Sequence, residues 1–359
     1  MKELYLKDLV PGMRVAREVY NPSNYHIILQ AGNVLTDTMI SRLQLHGIHS
    51  VFVEEETIIL EVDRQGEIEV YSETIRKSPE FAAFKQAYDT TLVTFKNTFY
   101  NVIEKQEMNQ IDDLMGQTMS MVELGRSKIG VLHMLMNMRE YDDSTFSHSM
   151  NVALLCNLMA SWLHMDYAQV ELATLCGLMH DVGKMKVSRE IITKPSSLTP
   201  SEYAQVQRHT IAGFEVLREL KMDEHVCNAA LMHHERIDGS GYPLRLKGGQ
   251  IDPYAKITAI ADVYDAMTAA RVYRGPLCPF RVIELFEKEG YDKYDVEYLL
   301  SFLENVADSF MQNRCRLSDG REGDIIFINR DKISRPIVQT TEGCVNLTEQ
   351  TELYIETLL

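Results

Sequence analysis

The ten residues from Leu178 to Val187 read LMHDVGKMKV. An apolar helical run, Val170 to Met179, ends there on His180 and Asp181, and Val182-Gly183 stops it. Neighbouring side chains on a helix point about 100° apart, so an adjacent His-Asp pair can face one cluster only near a helix end. The stretch therefore predicts a helix that delivers two ligand-type side chains from its last turn.

The same device recurs on both sides of it. His148 opens an apolar helical run, and His209 follows on the helix started by Thr199-Pro200-Ser201-Glu202, with Thr at the N-cap and Glu three residues on. His233-His234 close another run before Ile237-Asp238-Gly239, and Asp262 lies inside the helix that Asp252-Pro253 opens and that runs through Ala269. Asp166 with Gln169 reads as a capping box ahead of Val170. Helices over 279–289 and 294–312 complete the region.

Five of the eleven histidines fall in this set. A lone helical histidine is usually a surface or satisfied core residue, and His26, His46, His49, His133, His164 and His225 are left as that. The adjacent pairs change the reading. Imidazoles mixed with two carboxylates suit Zn, Mn or Fe better than Ca or Mg. A carboxylate such as Asp181 can bridge two metals, which acidify a shared water and clamp the oxygens of an in-line displacement at phosphorus. No serine or cysteine stands beside a partner base, so water is the expected nucleophile.

Outside this region the pattern changes. Residues 1–65 alternate apolar and polar positions around Val15–Tyr20, His26–Leu29 and Val51–Val53, with a helical pattern over Thr36–Leu45, and read as a small α/β module. Residues 66–140 are helical and polar, with Phe81, Phe84, Tyr88, Leu92 and Phe95 at threes and fours; the pattern admits a connecting helix, a dimer seam or both. The helical region spans 141–312. Residues 313–359 switch to turns and β-branched runs, Asp324–Ile328 and Ile337–Thr340, and read as a β-rich appendix.

The formal charge of −16 over 359 residues argues against a nucleic acid polymer as partner. It also requires that positive charge be concentrated wherever an anionic substrate binds. Six cysteines without a CxxC pair read as reduced core thiols. MKELYLKDLVPGM carries no secretory h-region, and the apolar run Leu154–Leu163 is broken by Asn157 and Ser161. A cytoplasmic protein without a membrane span is expected.

An ordered series of motifs carries a resemblance. HSMNVALL from 148, LMHDVGKMKV from 178, ITKPSSLTPSEY from 192, RHTIAGFEVL from 208, HHERIDGSGYP from 233 and KITAIADVYDAMTAARVYR from 256 together resemble the HD superfamily of metal-dependent phosphohydrolases, and within it the HD-GYP subfamily. The first 55 residues look like a short module often found ahead of such domains.

The resemblance implies a mainly α fold: an all-helical HD-type catalytic domain with the α/β module before it and the β appendix after it. It implies two divalent metal ions, Fe or Mn. His148, His180, Asp181 and Asp262 would hold one metal, and Asp181 would bridge to a second held by His209, His233 and His234. Lys184 of the HDxGK motif would meet a phosphate oxygen, with Asp181 the other catalytic residue. Gly241, Tyr242 and Pro243 would shape the substrate pocket and, as the GYP loop, contact signalling proteins. Arg271 and Arg274 resemble the basic residues that meet phosphate or guanine. Physically, Gly239 and Gly241 permit positive φ in this loop and Pro243 stiffens its exit.

The implied activity is hydrolysis of a cyclic dinucleotide by a metal-bridging hydroxide, cyclic di-GMP to pGpG and on to GMP, or cyclic GMP-AMP as an alternative substrate. A catalytically weak nucleotide-sensing or protein-binding module of the same fold is the reading from another class. The dNTP triphosphohydrolase branch shares the HD pair without the GYP loop. A zincin is set aside, because the second His of HExxH is missing after His234-Glu235. A homodimer is expected from the aromatic periodicity.

Three departures stand out. Ser144 replaces the Glu that supports a third metal in some members, Val272 replaces a Pro before Tyr273, and Arg245 stands where Gly is common.

Overall fold

A computed structural model describes residues 2–6, 9–10, 13–20, 27–33, 35, 39–40, 43, 48, 50–53, 75–105, 110–125, 127–138, 145–192, 194, 198–269 and 277–359. Two short antiparallel pairs lie at the N-terminus, β1 (Lys2–Tyr5) with β4 (Ser50–Val53), and β2 (Val19–Tyr20) with β3 (Ile27–Leu29). Leu9, Val15, Val19, Leu29, Leu35, Ile40, Leu43, Val51 and Val53 share a buried cluster of their own. Most of the helix expected over Thr36–Leu45 lies outside the described residues.

The polar helical stretch resolves into α1 (Pro79–Tyr100), α2 (Ile111–Leu124) and α3 (Lys128–Met138). Ser78 caps α1 by accepting from the Phe81 N–H at 3.1 Å, with Pro79 in the first turn. The apolar stripe of α1 is spent within the chain. Phe81, Phe84, Tyr88, Leu92 and Phe95 are all buried, Phe95 meets Phe146 edge-on at 6.0 Å, and the Tyr88 hydroxyl lies 2.8 Å from Asn151 Oδ1. The periodicity reports an intramolecular seam and carries no argument for a dimer.

Two helices form the centre: α4 (Thr145–Trp162) and α10 (Pro253–Thr268). Both are buried nearly all round, which explains apolar text without a polar stripe. Against them pack α5 (Tyr167–Met179) and α9 (Glu224–Met232); α8 (His209–Glu219) packs on α9 and on the 3₁₀ turn Val182–Lys186, and the short α6 (Arg189–Ile192) and α7 (Pro200–Gln207) lie outside it. Gly177 lets α5 close on α4, since a Cβ there would sit 2.6 Å from Ala153 Cα. The capping boxes at Asp166/Gln169 and Thr199/Glu202 both form. One expectation is corrected: α7 ends at Gln207, and His209 begins a separate helix across Arg208.

Beyond α11 (Pro279–Glu289) and α12 (Val296–Asp308), the tail is a five-stranded antiparallel sheet ordered β8-β7-β6-β5-β9. Its strands are β5 (Arg314–Leu317), β6 (Glu322–Phe327), β7 (Ile337–Thr340), β8 (Gly343–Asn346) and β9 (Ile355–Leu358). The chain is thus mainly helical with a β-rich C-terminal region. Arg335 reaches the buried Glu284 carboxylate of α11 at 2.7 Å, and Arg281 lies 4.1 Å over the Tyr354 ring. One continuous buried cluster runs from Phe81 to Ile355. Among the described residues no helix is long and apolar enough to cross a membrane.

Candidate metal centre

Five helices converge on Asp181, the residue just before the 3₁₀ turn. His148 comes from the first turn of α4, His180 from the end of α5, His209 from the start of α8, His233 and His234 from the end of α9, and Asp262 from the middle of α10. Asp181 Oδ2 lies 3.4 Å from His180 Nε2 and 3.9 Å from His148 Nε2. Asp181 Oδ1 lies 3.4 Å from His209 Nε2 and 3.7 Å from His233 Nε2. Three ligand-type groups follow: His148, His180 and Asp262; His180, Asp181 and His233; and His209, His233 and His234. Within each, the atoms lie within 4.8 Å of one another.

Backbone carbonyls fix several of the rings. His180 Nδ1 meets Gly177 O at 2.7 Å, His209 Nδ1 meets Val206 O at 2.6 Å, and His233 Nδ1 meets Ala229 O at 3.0 Å. Each contact makes Nδ1 the N–H, leaving Nε2 with its lone pair turned to the cluster. His148 is held by carboxylates instead: Nδ1 is 2.8 Å from Asp265 Oδ2 and Nε2 is 3.0 Å from Asp262 Oδ1.

The electrostatics divide accordingly. Burial opposes charge on His148, yet the Asp262 and Asp265 hydrogen bonds outweigh it and raise its pKa to about 9. Burial drives His209 down to about 4. Burial and neighbouring imidazoles hold His233 and His234 well below their usual range. Burial works against ionising Asp181, but Lys184 and then His180 hold it well below the carboxylate range. Lys184 Nζ contacts Asp181 Oδ2 directly. The neutral imidazoles of His209, His233 and His234 beside buried carboxylates are the kind of donor a divalent cation needs, and a cation at the centre would compete with the proton on His148. Two buried atoms there, His180 Nε2 and Asp181 Oδ1, have no hydrogen-bond partner among the described residues. A cation would satisfy both, so the residues present fit a metal.

A Cβ on Gly183 would lie 1.9 Å from His209 O and 2.5 Å from Gly213 N. This glycine, read from sequence as a helix stop, is what lets the turn after Asp181 seat against α8. In the following loop Gly239 has φ +83°, whereas Gly241 does not take positive φ. The expectation of positive φ at Gly241 is corrected. Its Cβ would meet Glu235 Cα at 2.4 Å, so its need is close approach. The Tyr242–Pro243 peptide is cis, and the Tyr242 ring stacks on His234 with centroids 4.6 Å apart. Tyr242 also hydrogen-bonds Tyr203 of α7. Arg245 carries φ +56°.

The structure thus brings together His148, His180, Asp181, Lys184, His209, His233, His234 and Asp262, with Gly241, Tyr242 and Pro243 alongside. Arg271, Arg274 and Ser144 lie outside the described residues. Three neighbours escaped the sequence reading: Asp265, Glu235 and Tyr203. Asp265 was findable, because it stands one helical turn beyond Asp262 on the same face.

A family model described as HD domain matches residues 131–298. The matched span is just under half of the chain. The chain is also similar to named proteins. A 3'3'-cGAMP-specific phosphodiesterase of Vibrio cholerae is 42% identical over 145 residues, 40% of this chain and 34% of that protein. A cyclic di-GMP phosphodiesterase of Pseudomonas aeruginosa is 34% identical over 194 residues, 54% of this chain and 46% of that protein. A cyclic di-GMP phosphodiesterase of Thermotoga maritima is 33% identical over 193 residues, 51% of this chain and 52% of that protein. The alignments span about a third to a half of these relatives' length. A solved structure described as a HDG"Y"P protein from Bdellovibrio bacteriovorus shares the fold, with a TM-score of 0.52 and 17% identity over 84% of this chain and 97% of that one.

Proposed function

We propose that this chain is a metal-dependent phosphodiesterase that opens a cyclic dinucleotide, with cyclic di-GMP as substrate and pGpG as first product. The observation that carries the reading is the placement of Asp181, whose two oxygens face separate imidazole sets. His148, His180, Asp181 and Asp262 would hold one divalent ion, Fe or Mn, and His209, His233, His234 and Asp181 would hold a second. When bound, such ions would acidify a water and offset the phosphodiester charge.

The chain's own residues do the rest. Asp181 stays ionised at neutral pH and orients both ligand sets. Lys184, anchored on Asp181 beside the centre, presents its ammonium to a phosphate oxygen and offsets charge that develops on it. Tyr242, stacked on His234, forms with Pro243 one wall of the substrate site, and Arg271 and Arg274 meet the phosphate or base. A second substrate, 3'3'-cGAMP, is favoured by the 42% identity to a phosphodiesterase named for it.

The test is hydrolysis of both compounds by protein purified anaerobically and loaded with Fe(II) or Mn(II), with products separated by chromatography. Wild type yields the linear dinucleotide and Asp181→Ala yields none. Full activity in Asp181→Ala, or turnover of neither compound by metal-replete wild type, rejects the reading.

A further inference from the structure

Glu235 follows the His233-His234 pair and is 2% exposed. Among the described residues no basic side chain pairs with it. Its carboxylate is instead met by three successive backbone N–H groups. Oε1 accepts from Leu244 at 2.6 Å and Arg245 at 3.1 Å, and Oε2 accepts from Leu246 at 2.9 Å. The positive φ of Arg245 curls the loop so that these donors converge, which is how backbone amides form an anion cradle. A buried carboxylate compensated only by that cradle ties the cradle to itself.

The cradle begins one residue after Pro243. Gly241 lies directly on the Glu235 backbone, the Tyr242 N–H donates to His234 O at 3.2 Å, and the Tyr242 ring stacks on His234. We propose that Glu235 is a positioning residue: its carboxylate clamps residues 244–246 and so holds Tyr242 against His234 as the fixed wall of the substrate site. The substrate half of this inference rests on the phosphodiesterase reading above. The clamp itself does not.

The test uses the full chain with Glu235→Ala and Glu235→Gln. Gln keeps one acceptor oxygen and serves as the partial rescue, and it remains informative if the Ala protein does not fold. Three readouts separate the possibilities: amide hydrogen exchange at 244–246, Mn(II) affinity, and KM against kcat for cyclic di-GMP. In Glu235→Ala the three amides exchange about 100-fold faster. KM rises about tenfold while kcat stays within about threefold, and Gln falls between Ala and wild type. Mn(II) binding weakens about tenfold as the His234 ring loses its cover. Unchanged exchange overturns the clamp, and faster exchange with wild-type KM reduces Glu235 to loop stability. If wild type turns over no cyclic dinucleotide, the phosphodiesterase reading fails on its own. The clamp is then judged by exchange at 244–246, and unchanged exchange overturns it.

Discussion

The Nδ1 of His148 lies 2.8 Å from Oδ2 of Asp265, so the first histidine of the centre is oriented by a carboxylate that is itself 1% exposed. Asp265 stands one turn after Asp262 on α10, and together they hold the two nitrogens of one ring. A buried acceptor on the remote nitrogen fixes a ligand's tautomer and aim.

Asp265→Ala removes that acceptor and should weaken metal at the His148, His180 and Asp262 set by about 10–100-fold. His209 and His233 keep their backbone anchors and His234 its Tyr242 cover, so that set keeps its affinity. Stepwise Mn(II) titration followed by calorimetry distinguishes the two. Equal loss at both sets, or at neither, contradicts the arrangement.

Gly183→Ala should damage both stability and the centre. The new methyl would fall on His209 O and Gly213 N, backbone atoms that cannot rotate away. Overpacking of this kind costs about 1–3 kcal/mol. Pushing α8 outward also draws His209 from Asp181 Oδ1. Thermal melting together with metal stoichiometry checks this, and a variant that melts with wild type and binds full metal disproves the close packing.

His133 gives a stability signal remote from the centre. Its ring stacks at 5.5 Å on Phe310 and Nε2 lies 3.1 Å from Ser309 O. Burial pushes its pKa down to about 4, against the smaller upward pull of that hydrogen bond. The folded state therefore binds fewer protons than the unfolded one between about pH 4 and pH 6.5. The neutral form's contribution is complete above about 6.5 and is lost as the pH falls toward 4. With metal held saturating, His133→Gln should lose less stability than wild type between pH 7 and pH 5. Parallel melting curves would remove His133 as a source of acid sensitivity.

Most of the site was legible in the text because ligand chemistry sits at helix ends. His180-Asp181 and His233-His234 both fall where a helix stops, and adjacent side chains can converge only there. The extra strands β5, β8 and β9 were less visible, because four-residue runs such as RCRL and GCVN lack a distinct period. The α1 stripe was legible as a stripe but not as to its partner. Periodicity reports that a face is buried, and only packing shows against what.

The sequence by itself determined the helical region, its capping signals and the set of side chains able to hold metal, because these depend on residue type and spacing along one element. Tertiary structure decided the relations between elements: that Asp181 turns one oxygen to each imidazole set, that Asp265 rather than a backbone carbonyl aims His148, that Gly183 is a contact and Gly241 a seat, and that Glu235 gathers three amides from ten residues downstream. Each of these depends on distances between segments far apart in the chain. No local pattern encodes such distances, because they are fixed only when the buried faces close on one another.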